Sequence, residues 1–321
     1  MQRIDKKIED SLKKIELMYG IITEQFFGQK KIVEQVLVSI LSSGNTLIVG
    51  VPGLGKTLLF KTLSESLKLE SKRVQCTPDL MPFDILGTEI LSSKDIKKFS
   101  FIKGPIFTQI LMVDEINRAS PRTQSALLQA MQEGFITVNG KNFELPKPFI
   151  VLATENPIEQ EGTYNLPEAQ LDRFLMQINI SYPDIETEKK ILLNHTERKK
   201  SSYDFKSENL LELIKIIKEL PVGESVLEFV IQLIRNLRPE SSRFDFVKKY
   251  IKWGPGPRGG QALLSASKSR ALLRGNLSPS ISDIIELAKP TLRHRISTTF
   301  EAKTEDLTAD YLIKKVCDNL N

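Results

Sequence analysis

The apolar positions change their period along the 321-residue chain. Ile4, Ile8, Leu12, Ile15 and Met18 recur at three- and four-residue steps, which predicts an amphipathic helix over residues 2–18 and a break near Gly20. A second helical pattern runs from Lys30 to Leu41 and stops near Gly44. Short apolar or β-branched runs then follow at Thr46–Val49, Arg73–Gln75, Ile110–Val113, Phe149–Ala153 and Leu175–Ile180, with helical stretches at 56–68 and 121–131. Strands separated by helices predict a parallel sheet covered on both faces. Two hairpins interrupt this rhythm. Thr88–Leu91 can pair with Phe99–Ile102, and Phe135–Val138 with Asn142–Leu145 across Asn139-Gly140-Lys141. After Tyr182-Pro183 only helical patterns remain, at 184–195, 207–219, 223–237, 258–274, 281–293 and 305–319. The expectation is an α/β fold: a five-stranded parallel sheet within residues 1–182, then a smaller all-helical domain over 183–321.

Composition narrows the class. With 40% hydrophobic and 26% charged residues the chain reads as an ordinary soluble globular protein, not a disordered, collagen-like or disulfide-scaffolded one. No apolar run approaches the ~20 residues of a membrane span, and the first ten residues, MQRIDKKIED, lack the apolar core of a secretion signal. Cys76 and Cys317 stand far apart with no CxxC spacing, which fits a reducing cytoplasm. His195 and His294 are too few for a zinc site. The net charge of +5 falls entirely in the second part: residues 1–180 sum to zero. Within Ser241–Arg274, eight basic residues face one acid, Asp245, a local excess of +7. This cluster reads as a surface turned toward a polyanionic nucleotide, with nucleic acid a distant second.

The chemistry concentrates in a few segments. Gly50-Val-Pro52-Gly53-Leu54-Gly55-Lys56-Thr57, followed by Leu58, satisfies G-x-x-x-x-G-K-[ST] between a predicted strand and a predicted helix. Its glycines let backbone N–H groups curl around phosphate oxygens, Lys56 reaches the β- and γ-phosphates of ATP, and the Thr57 hydroxyl ligates Mg²⁺. Ile110–Val113 runs into Asp114 and Glu115, a buried strand ending in one acid for Mg²⁺ and one to polarise water. Phe149–Asn156 ends another strand in a polar cluster where Asn156 can orient that water, although an Asn before Pro157 also suits a plain turn. Arg173 precedes the fifth strand, where a surface salt bridge is the ordinary reading. Arg258 opens a helix from a Gly/Pro-rich entry, either as a plain loop residue or as a cation delivered to a phosphate.

Taken in order, GVPGLGKT, LMVDEINR, SPRTQSALLQAMQEGFITVNG, PFIVLATENPIEQEGTY, LPEAQLDRF and WGPGPRGG resemble the MoxR family of AAA+ ATPases, from about Phe26 to Ile296. The resemblance implies an AAA+ core with a helical lid. It makes Lys56 and Thr57 Walker A, Asp114 and Glu115 Walker B, Asn156 sensor 1 and Arg258 sensor 2 reaching ATP from the lid. Arg173 becomes an arginine finger for a neighbouring subunit, and Phe26–Gln29, Phe27 and Gly28 among them, line the adenine pocket. The two hairpins match insertions that tend to face a central pore. Many members carry Ala where this chain has Gly55, and small residues other than the Gly259-Gly260 pair usually follow the sensor 2 arginine.

The function expected is Mg²⁺-dependent ATP hydrolysis by a homo-oligomeric ring, a hexamer, that remodels or matures a protein client. The resemblance implies a partner carrying a von Willebrand A domain. Two alternatives compete: a nucleic-acid motor, and a nucleotide-gated binding module without turnover. The hairpin Glu133–Leu145 carries Glu133 and Glu144 against Lys141, a net of −1, which disfavours the motor. Glu115, Asn156 and Arg173 together disfavour a module without turnover.

Overall fold

The computed structural model describes residues 13, 15–24, 26, 29–92, 95–158, 162–193 and 207–320. Ile4, Ile8 and Leu12 of the first expected helix lie outside them. Residues 15–24 form helix α1, which runs through Gly20 where a break was expected. A side chain at Gly20 would meet nothing within 4 Å, so this glycine marks an open face of the helix and not a turn.

Helix α2 (Lys30–Leu41) leads into β1 (Thr46–Val49), α3 (Lys56–Leu67), β2 (Ser71–Gln75) and α4 (Pro82–Leu86). The first hairpin follows as β3 (Gly87–Ser92) and β4 (Asp95–Lys103), pairing Thr88 with Ile102 and Leu91 with Phe99. Next come β5 (Ile110–Asp114), α5 (Pro121–Glu133) and the second hairpin, β6 (Phe135–Val138) with β7 (Lys141–Glu144). Its tight turn holds Asn139 and Gly140 at φ +48° and +76°, the two left-handed residues that the Asn-Gly pair supplies. Strand β8 (Ile150–Glu155), the short α6 (Glu168–Leu171) and β9 (Met176–Asn179) complete the first part.

The five-stranded sheet has the order β2-β5-β8-β1-β9, with every pair parallel. All five residues of β5 are buried, as a strand covered on both faces requires. Helix α3 buries Leu59, Leu63 and Leu67 at four-residue steps, and α5 opens on Ser120, whose hydroxyl accepts from the Thr123 N–H, with Pro121 at its first position. One apolar cluster lies under α1, α2 and α3, and a second lies under α5 and the hairpins. The hairpins also grip each other: Phe101 stacks on Phe143 at 4.2 Å, and Asn139 Nδ2 donates to Glu89 Oε2 at 2.7 Å.

The second part comprises α7 (Ile185–Leu193), α8 (Ser207–Glu219), α9 (Glu224–Asn236), α10 (Asp245–Tyr250), α11 (Pro257–Leu273), α12 (Ile281–Leu292), α13 (Phe300–Thr304) and α14 (Ala309–Leu320). It also holds a small antiparallel ribbon, β10 (Ile251–Trp253) with β11 (Ser297–Thr298), in a region expected to be purely helical. Helix α11 lies along α2: Ser42 Oγ sits 2.7 Å from Ser269 Oγ, and Glu34 accepts from Arg270 and Arg274. This pairing places the first turn of α11 beside the C-terminal end of α2.

Candidate active site

Three neighbouring strands end side by side, and the sequence motifs sit on those ends. Because β5, β8 and β1 are parallel and adjacent, the residues following them meet at one edge of the sheet, where ligands bind in open α/β folds. Strand β1 delivers Gly50 through Leu58. The loop turns on Gly53 and Gly55, at φ +83° and +77°, a region that side-chain-bearing residues avoid. Gly55 caps α3, so Lys56 and Thr57 form its first turn, where backbone N–H groups have no partner within the helix. Pro52, Gly53 and Thr57 are exposed, Lys56 and Leu58 are partly so, and Gly50 and Leu54 are buried. Lys56 Nζ donates to the Gly50 carbonyl at 2.5 Å, which holds the ammonium across the mouth of the loop. Phe26 is buried against this loop, since a side chain at Gly55 would reach within 3.3 Å of its ring. Phe27 and Gly28 lie outside the described residues.

Strand β5 delivers the two acids. Asp114 is only 8% exposed; its Oδ1 accepts from Thr154 Oγ1 at 2.5 Å and its Oδ2 from Arg73 Nη2 at 2.5 Å. Glu115 has φ +54°, a left-handed backbone held by its N–H donating to Thr154 Oγ1 at 2.9 Å. Its Oε2 accepts from Gln75 Nε2 at 3.0 Å and Arg118 Nη1 at 3.2 Å. Arg73 and Gln75 are two residues apart on β2, hence on one face, and each holds one acid. Strand β8 delivers Thr154 and Asn156. Asn156 is 2% exposed, and its Oδ1 accepts from the Ile158 N–H at 3.2 Å. Burial pushes up the Glu155 carboxyl, and it pushes the thiol of Cys76, whose N–H donates to the Asp114 carbonyl, to about 12, with help from Asp114 and Glu115. That thiol is no nucleophile.

The donors here suit a hard cation. Among the described residues no three His, Cys, Asp or Glu side chains gather into a metal cluster. The exposed Thr57 hydroxyl and the Asp114 carboxylate offer two oxygens, leaving other positions to water and phosphate, which is how Mg²⁺ is usually held.

Arg173 and Arg258 meet elsewhere. Strand β9 runs parallel to β1 with Met176 opposite Thr46, so Arg173 lies at the starting edge of the sheet, away from Lys56. The first turn of α11 brings Arg258 to the same edge, its Nη1 3.6 Å from Asp172 Oδ2. Arg173, Arg258, Asp172 and Arg295 line one cleft of about 260 Å³ with Ser43 and Asn45. Arg258 thus stands at the edge of the sheet opposite the Gly50–Leu58 loop of its own chain. The cleft joins Arg258 to Arg173. Arg295, unassigned by the sequence motifs, is 2% exposed and donates to the Asp172 carboxylate and to the carbonyls of Asp172, Thr291, Phe174 and Leu175. Gly259 leaves it room: a side chain there would stand 3.1 Å from Arg295 Cδ. Sequence reasoning also passed over Arg73, Gln75, Thr154 and Asp172. Arg73 and Gln75 stood in a run read only as a strand, whereas Thr154 and Asp172 stood in segments already singled out for chemistry.

Most of the positive excess of Ser241–Arg274 is taken up locally. Arg270 and Arg274 pair with Glu34, Arg270 also with Asp283, Lys248 with Asp245, Lys249 with Glu305, and Arg258 with Asp172.

Comparison with known proteins agrees with this architecture. The family model "ATPase family associated with various cellular activities (AAA)" matches residues 45–176, and an "AAA lid domain" model matches 244–316. The chain is 38% identical over 291 residues to Chaperone MoxR1 of Mycobacterium tuberculosis, covering 90% of this chain and 77% of that one. It is 28% identical over 302 residues to Protein MoxR of Paracoccus denitrificans, covering 87% and 88%. A solved structure from Cytophaga hutchinsonii, described as an ATPase candidate, superposes with a TM-score of 0.92 at 34% identity, covering 100% of this chain and 98% of that one. With its five-stranded parallel sheet, nucleotide-loop motif and helical lid, the chain belongs to the MoxR family of AAA+ ATPases.

Proposed function

We propose that this protein hydrolyses ATP with Mg²⁺, working as a homo-oligomeric ring, a hexamer, in the cytoplasm, and that turnover remodels or matures a protein client. One observation carries the reading: the phosphate loop and both acids lie at one end of the sheet, while Arg173 and Arg258 lie at the other. The four residues of β1 alone span about 13 Å, a separation that favours these cations serving a different nucleotide from the one on their own loop. A ring provides this by setting the arginine end of each subunit against the loop end of the next.

Each residue then has a task. The Gly50–Gly55 backbone and Lys56 hold the phosphates, and Phe26 supports the loop from beneath. Thr57 and Asp114 hold Mg²⁺, which when bound withdraws charge from the phosphate oxygens. Glu115 accepts the proton of the attacking water once it leaves Gln75 and Arg118, and Asn156 orients that water. Arg173 and Arg258 offset charge on the neighbour's γ-phosphate. The client role rests on the name chaperone borne by the Mycobacterium tuberculosis relative and on the family resemblance, which adds a partner with a von Willebrand A domain.

Glu115→Gln tests the chemistry. Turnover should fall by about 10²–10⁴, while binding of a fluorescent ATP analogue and assembly, followed by light scattering, persist. Normal hydrolysis by this variant would remove Glu115 as the base.

A further inference from the structure

We propose that Asp172 is a positioning residue of the arginine end, a counter-ion shared by Arg295 and Arg258 that keeps Arg258 beside the segment carrying Arg173, ready for the neighbouring subunit's nucleotide. The inference rests on the ring reading above and adds a residue to it. Asp172 Oδ1 accepts from Arg295 Nε at 2.7 Å, a strong charge-assisted bond to a fully buried cation. Its second oxygen, Oδ2, faces Arg258 Nη1 at 3.6 Å, and half of that side chain lies in solvent. The two oxygens thus have different duties. One is locked into the lid, and the other offers a loose contact that a phosphate can replace.

The backbone repeats the pattern. Arg295 Nη2 donates to the carbonyls of Asp172 and Phe174 at 3.1 and 2.7 Å, and Nη1 to Leu175 at 3.2 Å. These bonds bracket Arg173, whose guanidinium makes no hydrogen bond or ion pair with any described residue. Arg173 is therefore carried on a segment strapped to the lid, and Arg258 is carried on the lid itself. A free arginine side chain loses rotamer freedom on being fixed. Holding Arg258 beside Arg173 beforehand lowers that cost when the phosphate arrives. The long, half-exposed Arg258–Asp172 contact is weak enough to be exchanged.

Mixed rings provide the test. A Lys56→Ala subunit has a broken loop end and an intact arginine end; Asp172→Asn should have the reverse. Alone, Asp172→Asn should lower kcat about tenfold or more with KM for ATP changed less than about twofold. Mixed with Lys56→Ala, it should regain activity above the sum of the two separate proteins, because hybrid interfaces then carry two intact halves. Combining it with Arg258→Ala should slow turnover no further than Arg258→Ala alone. Asp172→Glu, which keeps the charge that Arg295 needs, is the second variant should the Asn form melt early, and it should show the same recovery on mixing. If Arg173→Ala recovers with Lys56→Ala while neither Asp172 variant does, the acid acts within its own subunit and the proposal falls, with the ring reading intact. If Arg173→Ala also fails to recover, the ring reading falls and takes the proposal with it.

Discussion

His294 and Arg295 are consecutive, both buried, and opposite in how they meet the cost of burial. Arg295 keeps its charge because Asp172 and backbone carbonyls surround it. His294 has only the Phe174 carbonyl at 3.1 Å and the Arg295 guanidinium at 2.8 Å on Nε2, and Nδ1 has no partner. Burial first, and the charge on Arg295 second, hold its imidazole well below the ordinary value of 6.5. Between the folded and unfolded values the unfolded chain binds a proton that the folded chain does not. Stability therefore falls as the pH drops below about 6.5, by up to about 1.4 kcal/mol per pH unit. Glu155, pushed up from 4.5 by burial, acts in the opposite sense at lower pH. Melting curves between pH 7.5 and 5.5 should show a steeper acid loss for the native chain than for His294→Gln, and equal slopes would refute the assignment. At the same junction, Gly259→Ala would place a methyl group 3.0 Å from Pro255 Cβ and 3.1 Å from Arg295 Cδ. Neither neighbour has room to retreat, so a loss of about 1–3 kcal/mol is expected in denaturant titration; an unchanged midpoint would show that the lid gives way.

Among the elements, α2, α11 and α12 meet around a buried charge. Arg270, 4% exposed, donates to Glu34 on α2 at 2.9 Å and to Asp283 on α12 at 2.5 Å. Asp283 also closes the capping box of α12 with Ser280. Asp283→Ala strands a buried cation and uncaps a helix, so about 3–5 kcal/mol should be lost. Lys31→Ala at the neighbouring exposed pair with Glu286 should cost at most about 1 kcal/mol. Comparable losses from the two would mean that burial does not set the value of these pairs. This cluster also shows where sequence reading stops. The five sheet strands and both hairpins were legible because alternation, β-branching and Asn-Gly are local signals. The walls of the phosphate loop were legible for the same reason. The +7 run of Ser241–Arg274 was legible as charge but not as structure, since its partner Glu34 lies 236 residues from Arg270. Asp172 and Arg295 are 123 residues apart, and nothing in either segment announces the other. Strands β10 and β11, three and two residues long, are too short for any periodicity to register.

At the scale of the whole molecule, we propose that the boundary near residue 182 divides topology but not the core. Strand β9 ends at Asn179 and α7 begins at Ile185, so strands largely give way to helices there. Yet a single apolar cluster joins Ile48, Ile150 and Met176 of the sheet, through Val36 and Leu41 of α2, to Leu263, Leu287 and Leu292 of the lid. Arg295 and the Arg270 cluster add polar ties across the same seam. A chain of this length commonly splits into separately melting domains. Here, losing the lid would expose the apolar face of α2 and leave Glu34 and Asp172 without their buried partners, so neither part has a complete core of its own. Calorimetry of the full chain should therefore give one transition whose van't Hoff and calorimetric enthalpies agree. A fragment ending at residue 182 should bind a hydrophobic dye and lack the sharp melt of the intact protein. Two resolved transitions, or a fragment that melts cooperatively, would show that the lid is an independent unit. The lid would then be free to move without carrying Arg173 along, which the strap at Arg295 is built to prevent.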